Sequence, residues 1–92
     1  MTKEKIKSIV IAAIIKQYDK YYANYIYNMI YSKSNDGDDI LIFKDLKFDS
    51  LDMVQFISNI KKELKRYDLK LIIDSYTTIG NIVDFIYNFI QK

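Results

Sequence analysis

Residues 79–90 read I-G-N-I-V-D-F-I-Y-N-F-I, with Ile79, Ile82, Val83, Ile86, Phe89 and Ile90 at offsets of 0, 3, 4, 7, 10 and 11. That three-and-four spacing belongs to an α-helix burying one face, and it is the cleanest amphipathic signal in the chain. Thr77 or Thr78 supplies its N-cap. Upstream, Asp68 to Tyr76 reads as a connection with room for one short helix around Leu71 to Ser75. Asp49 or Ser50 opens another helix running to about Tyr67, with Met53, Phe56, Ile57, Ile60 and Leu64 facing inward. Asp49 is a good N-cap, and Asp52 adds negative charge in the first turn, where the helix dipole favours it.

Further back, Ile40 to Phe43 is too short for a helix and has no evident partner strand, so it reads as an extended or single-turn piece pinned to the core. Ser32 to Asp39 is polar, contains Gly37 and reads as a loop. From Lys3 to about Tyr31 the spacing is helical again. Ile6, Ile9, Val10, Ala13 and Gln17 form one stripe, and Ile14, Tyr18, Tyr21, Tyr22 and Tyr25 a neighbouring one. This is one long helix or two with a bend near Asp19. The expected fold is all-α, a small four-helix bundle of three main helices plus a short third one. It occupies 1–92 as a single domain.

Composition removes most catalytic machinery. The 92 residues are 50% hydrophobic and 28% charged, a globular balance with one modest core. Without Cys or His there is no disulfide, no thiolate nucleophile, and neither the commonest general base nor the commonest metal ligand. No catalytic residue and no metal site is expected. The net charge of +2 is unevenly spread, because residues 36–60 carry six Asp against Lys44 and Lys47. Arg66 is the only guanidinium, which argues against nucleic-acid recognition. The longest apolar run, Ile9 to Ile15, is far too short to span a membrane, and no small-residue cleavage site follows it. The expectation is a cytoplasmic monomer that binds neither nucleic acid nor membrane.

Ser50 is the residue on which chemistry can be placed. An exposed serine in the first turn of a helix, just after an aspartate, suits a phosphate ester, because free amides and the helix dipole favour negative charge there. Nothing in the chain can activate its hydroxyl, so another enzyme must modify it. Alone, Asp-Ser at a helix start is a simple cap and turn.

The surroundings say more. The run F-K-D-L-K-F-D-S-L-D-M-V-Q-F (Phe43 to Phe56) resembles the modification segment of acyl carrier proteins, phosphopantetheine-binding carriers. The closing Y-T-T-I-G-N-I-V-D-F-I (Tyr76 to Ile86) is similar to that family's Thr-Thr entry into its last helix, and the two blocks stand at a matching distance. The resemblance covers Asp39 to Gln91 well and Lys3 to Tyr18 loosely. It implies a bundle of acyl-carrier type and an acyl carrier rather than an enzyme. By it, a magnesium-dependent phosphopantetheinyl transferase attaches 4′-phosphopantetheine from coenzyme A to Ser50, beside Asp49. The arm's thiol then holds acyl groups as thioesters, which acyl-loading and condensing enzymes of fatty-acid or, more in keeping with this chain, polyketide-type biosynthesis use in turn.

The departures bear on partners. The family usually has Gly and a small residue before Asp-Ser, where this chain has Lys47 and Phe48. Phe48 either closes over the core or stands exposed as a partner contact. Standard fatty-acid carriers show glutamates along the second helix, whereas this chain has Gln55, Lys61 and Lys62, and keeps acids only at Asp49, Asp52 and Glu63. A dedicated partner set is therefore expected. Leu51, Asp52, Val54, Gln55, Ser58, Lys61 and Lys62 lie along or beside the stripe from Ser50 and form the expected partner face. The competing reading makes Val54 core and leaves the lysines merely to solvate the helix.

The segment Asp19 to Asp38 is longer than a typical first loop of the family, and six tyrosines fall in 18–31. In the plainer reading Tyr18, Tyr21, Tyr22 and Tyr25 cover the bundle with their hydroxyls at the rim. In the sharper one they form an aromatic docking patch. N-D-G-D-D (Asn35 to Asp39) lacks the spacing and closing Glu of a calcium loop and reads as a polar turn. The competing functions are an aminoacyl or peptidyl carrier, an unmodified helical interaction module, and third an RNA-binding or membrane-surface bundle. Core truncations at Ile82 or Phe89 are expected to cost about 2–5 kcal/mol, and Ser50→Ala at most about 1 kcal/mol.

Overall fold

The computed structural model describes residues 1–91. Four helices run α1 Lys3–Ile15, α2 Lys20–Ser32, α3 Ser50–Leu64 and α4 Ile79–Gln91, with a 3-10 turn at Ser34–Gly37. The all-α bundle expected from the periodicity is the observed architecture. α1 lies at its centre, packed on α4, α3 and α2. It can do so because Ile6, Val10, Ile11, Ala13 and Ile14 are all buried, which gives it apolar surface on more than one side. α3 buries Met53, Phe56 and Ile60, and α4 buries Ile79, Ile82, Val83 and Ile86.

The tyrosine-rich region is two helices, not one. Asp19 is extended, and its Oδ1 accepts the Tyr21 and Tyr22 amides at 3.0 and 3.1 Å, so a new N-cap breaks the helix. α2 then buries only Ile26 and Ile30.

The short helix expected around Leu71 to Ser75 does not form, and the fourth helix of the bundle is α2 instead. Its place is taken by extended chain in which Leu69 and Leu71 are buried and Ile73 is partly buried, while Lys70, Ile72 and Asp74 face solvent. That alternation is the period of extended chain; a helical turn would pull Leu69 or Leu71 off the core. α3 also ends earlier than Tyr67. Lys65 adopts a left-handed conformation, with its amide on the Lys62 carbonyl and the Arg66 amide on Lys61, a Schellman stop.

Ile40 to Phe43 does have a partner. Leu41 forms an isolated antiparallel bridge with Thr78. Ile42 N–H donates to the Thr77 carbonyl, Ile79 N–H to Ile40 and Gly80 N–H to Asp38. Both Ile40 and Ile42 are buried. Thr78 caps α4, accepting the Asn81 amide at 3.1 Å while Asn81 accepts the Thr78 amide at 3.0 Å. No described helix is long and apolar enough to cross a membrane.

The turn before this piece is tightly constrained, with Asn35, Asp36 and Gly37 all at positive φ. A Cβ on Gly37 would lie 2.5 Å from Ile30 Cγ2 and 2.7 Å from the Ile30 carbonyl oxygen. Gly37→Ala is therefore expected to cost about 2 kcal/mol or more in denaturant unfolding. In the same assay Ile82→Ala should cost about 2–5 kcal/mol. Phe89, only partly buried beneath the Arg66 guanidinium, should cost less when truncated.

Candidate functional site

α3 starts at a reciprocal capping box. The Asp52 amide donates to Asp49 Oδ1 at 2.8 Å, and the Asp49 amide donates to Asp52 Oδ2 at 3.0 Å. These bonds take up both acids, so Asp52 is committed to the cap and only half-exposed. Ser50 follows directly and is exposed. Among the described residues no acceptor meets the Ser50 or Leu51 amide, so the first turn keeps donors open to solvent. An accessible hydroxyl on a helix start with free amides fits a phosphate ester, and no side chain obstructs it.

The approach to Ser50 is unusual. Lys47 is left-handed at φ 57°, a conformation costing a non-glycine residue about 1–2 kcal/mol. On either side of it Leu46 and Phe48 are buried. Phe48 thus takes the first of its two expected places. Its ring packs edge-on against Phe56, with centroids 5.7 Å apart, and lies 6.2 Å from Tyr18. The Tyr18 hydroxyl, from the corner between α1 and α2, donates to the Leu46 carbonyl at 3.1 Å.

Beyond Ser50, Leu51 and Val54 stand 64% and 65% exposed, so Val54 is not core. Gln55, Ser58 and Lys62 are exposed as well, and Lys61 is half-buried. Val54, Gln55 and Ser58 share a shallow groove of about 500 Å³ with Asn59 and with Lys16 and Gln17 of the α1–α2 corner. Sequence reasoning missed the last two, having placed Gln17 on the stripe of Ile6, Ile9, Val10 and Ala13. The groove carries a lysine and no acid.

The tyrosines do not cover the bundle, Tyr18 excepted. Tyr21 is 92% exposed, and Tyr22, Tyr25 and Tyr27 also face solvent. Tyr27 and Tyr31 lean on one another at 4.9 Å, with Lys7 above Tyr31. Arg66 is engaged internally, forked onto Asp68 by two bonds of 3.1 Å and stacked over Phe89. At Asn35 to Asp39 the Asn35 amide group donates to Asp39 Oδ2, as a polar turn does. Among the described residues no group of three or more Asp, Glu, His or Cys is placed to hold a metal ion.

Two measurements follow from this geometry. Asp49→Ala should lower stability by about 1 kcal/mol, since the Asp49 Oδ1 arm of the box goes while the backbone amide at 49 keeps its bond to Asp52, whereas Ser50→Ala should stay within about 0.5 kcal/mol in thermal unfolding. The Tyr18 phenol is raised above its ordinary 10.0, by burial first and by the Asp52 carboxylate second. A group held higher in the folded state contributes stability that is complete below pH 10 and is lost as pH rises through the folded value. Tyrosinate absorbance should therefore show a late-titrating component that Tyr18→Phe removes.

The family model described as the phosphopantetheine attachment site matches residues 33–86, a span that contains Ser50, all of α3 and most of α4. No curated protein and no solved structure matches the chain. Carrier domains of this family bear a covalently attached 4′-phosphopantetheine and are not themselves catalysts. With more than half of its length matched, the chain belongs to the phosphopantetheine-binding carrier family.

Proposed function

We propose that Ser50 is the attachment point of 4′-phosphopantetheine and that the protein is an acyl carrier of specialised, polyketide-type biosynthesis. The observation that carries this reading is the exposed Ser50 hydroxyl on the first turn of α3, behind the Asp49–Asp52 box and inside the matched segment. The serine oxygen takes the pantetheine phosphate from coenzyme A, and the adenosine bisphosphate half leaves. The transferase must take up the serine proton, because the carboxylates nearest in sequence to Ser50, those of Asp49 and Asp52, are both engaged in the capping box. Bound there, the arm supplies a thiol that holds the acyl group as a thioester. The chain's own part is to present that arm and be recognised.

Recognition is where the chain departs from acidic carriers. Leu51 and Val54 give an apolar strip, Gln55 and Ser58 are neutral, and Lys61, Lys62 and Lys16 are cationic. Such a face suits acyl-loading and condensing enzymes of its own rather than ones built for glutamates. An aminoacyl or peptidyl cargo is the runner-up. The exposed Tyr21, Tyr22 and Tyr25 favour a second reading from another class, an unmodified interaction module. The proposal takes 1–92 as one carrier domain, monomeric and working in the cytoplasm.

Intact mass after incubation with coenzyme A, magnesium and a broad-specificity phosphopantetheinyl transferase tests the assignment. One added phosphopantetheine is expected, and none on Ser50→Ala. Failure across several transferases would move the reading to the interaction module.

A further inference from the structure

Lys47 is a lysine in a left-handed turn two residues before the cap of α3, and the turn has no glycine to relieve it. Something must hold it. Its neighbours Leu46 and Phe48 are both inserted in the core, and both are met by one residue that lies far away in sequence. The Tyr18 hydroxyl donates to the Leu46 carbonyl at 3.1 Å, and the Tyr18 ring lies beside Phe48, which is backed in turn by Phe56. Tyr18 itself is held by the corner between α1 and α2. Its amide donates to the Ile15 carbonyl, and Asp19 directly after it caps α2.

We infer that Tyr18 is a positioning residue, clamping the Leu46–Lys47–Phe48 turn so that Ser50 is offered in one fixed orientation. The clamp does for this chain what a glycine at position 47 would do by conformational freedom. Without the hydroxyl the strained turn relaxes, the first turn of α3 loosens, and only the ordered fraction of molecules is a competent substrate. The role in transfer rests on the proposed attachment at Ser50; the clamp itself does not.

The test compares the full chain with Tyr18→Phe and with Tyr18→Phe/Lys47→Gly, by amide hydrogen exchange and by initial rates of phosphopantetheine transfer. In Tyr18→Phe the Asp49, Asp52 and Met53 amides are expected to exchange about five- to tenfold faster, while Ile60 and Ile86 keep wild-type protection. The KM for the protein is expected to rise about two- to fivefold with kcat retained. Adding Lys47→Gly, which removes the left-handed strain, restores both. Unchanged exchange, a uniform rise across α3 and α4, or no rescue by glycine would overturn the clamp. Local loosening with a wild-type KM would overturn the positioning role alone. If the unaltered chain accepts no phosphopantetheine, the attachment reading fails, and the exchange data still decide the clamp.

Discussion

The architecture hangs on a backbone tie between two segments remote in sequence. Ile42 N–H on Thr77, Ile79 N–H on Ile40 and Gly80 N–H on Asp38 bind the stretch before α3 to the entry of α4. The tie drops Ile40 and Ile42 into the core and satisfies amides that a coil would leave to water. It also sets where α4 begins. Gly80 matters here because a Cβ would meet Asp38 at 3.1 Å, closer than the two backbones can comfortably accept. Closing so long a loop costs entropy, and packing of α1 against both flanking helices offsets it.

Much of this was legible. The apolar repeat of Ile79 to Ile90 and the Asp49 cap located α4 and the start of α3, since both are local signals with one dominant cause. What was misread or left open was of another kind. Leu69 to Asp74 alternates in and out, but Ile72 sits at an outward position and disguises the period; it is 87% exposed. The break before α2 carries no glycine or proline, only Asp19, which serves equally well inside a loop or as a cap. Lys47 and Lys65 adopt left-handed turns that lysine does not announce. At the site, the family resemblance singled out Ser50, and helical geometry placed the outward α3 positions. Lys16, Gln17 and Tyr18 could not, because they reach the site through the turn between α1 and α2.

The site thus combines a shared frame with local replacements. The capping box fixes the helix start by two charge-assisted bonds, and this leaves Ser50 free of any structural duty. Bulk stands where the family is usually slender: Phe48 fills space beside the serine, and its ring is part of the core rather than of the surface. The outward face of α3 is apolar, then neutral, then basic. Carriers that rely on acidic steering draw partners from a distance; as the proposed recognition surface, this face would offer less long-range attraction and more short-range contact.

α2 is fastened more lightly than the other three helices. Only Ile26 and Ile30 are buried, whereas α1 buries five residues and α4 four. Burial of two isoleucines contributes about 3–6 kcal/mol before the entropy of ordering thirteen residues is counted against it. The molecule therefore has an internal hierarchy of opening, in which the tyrosine helix comes away first while α1, α3 and α4 stay joined. Such a flap would be the earliest place for a protease to cut. The cut would fall beyond Asp19, sparing the corner that carries Tyr18.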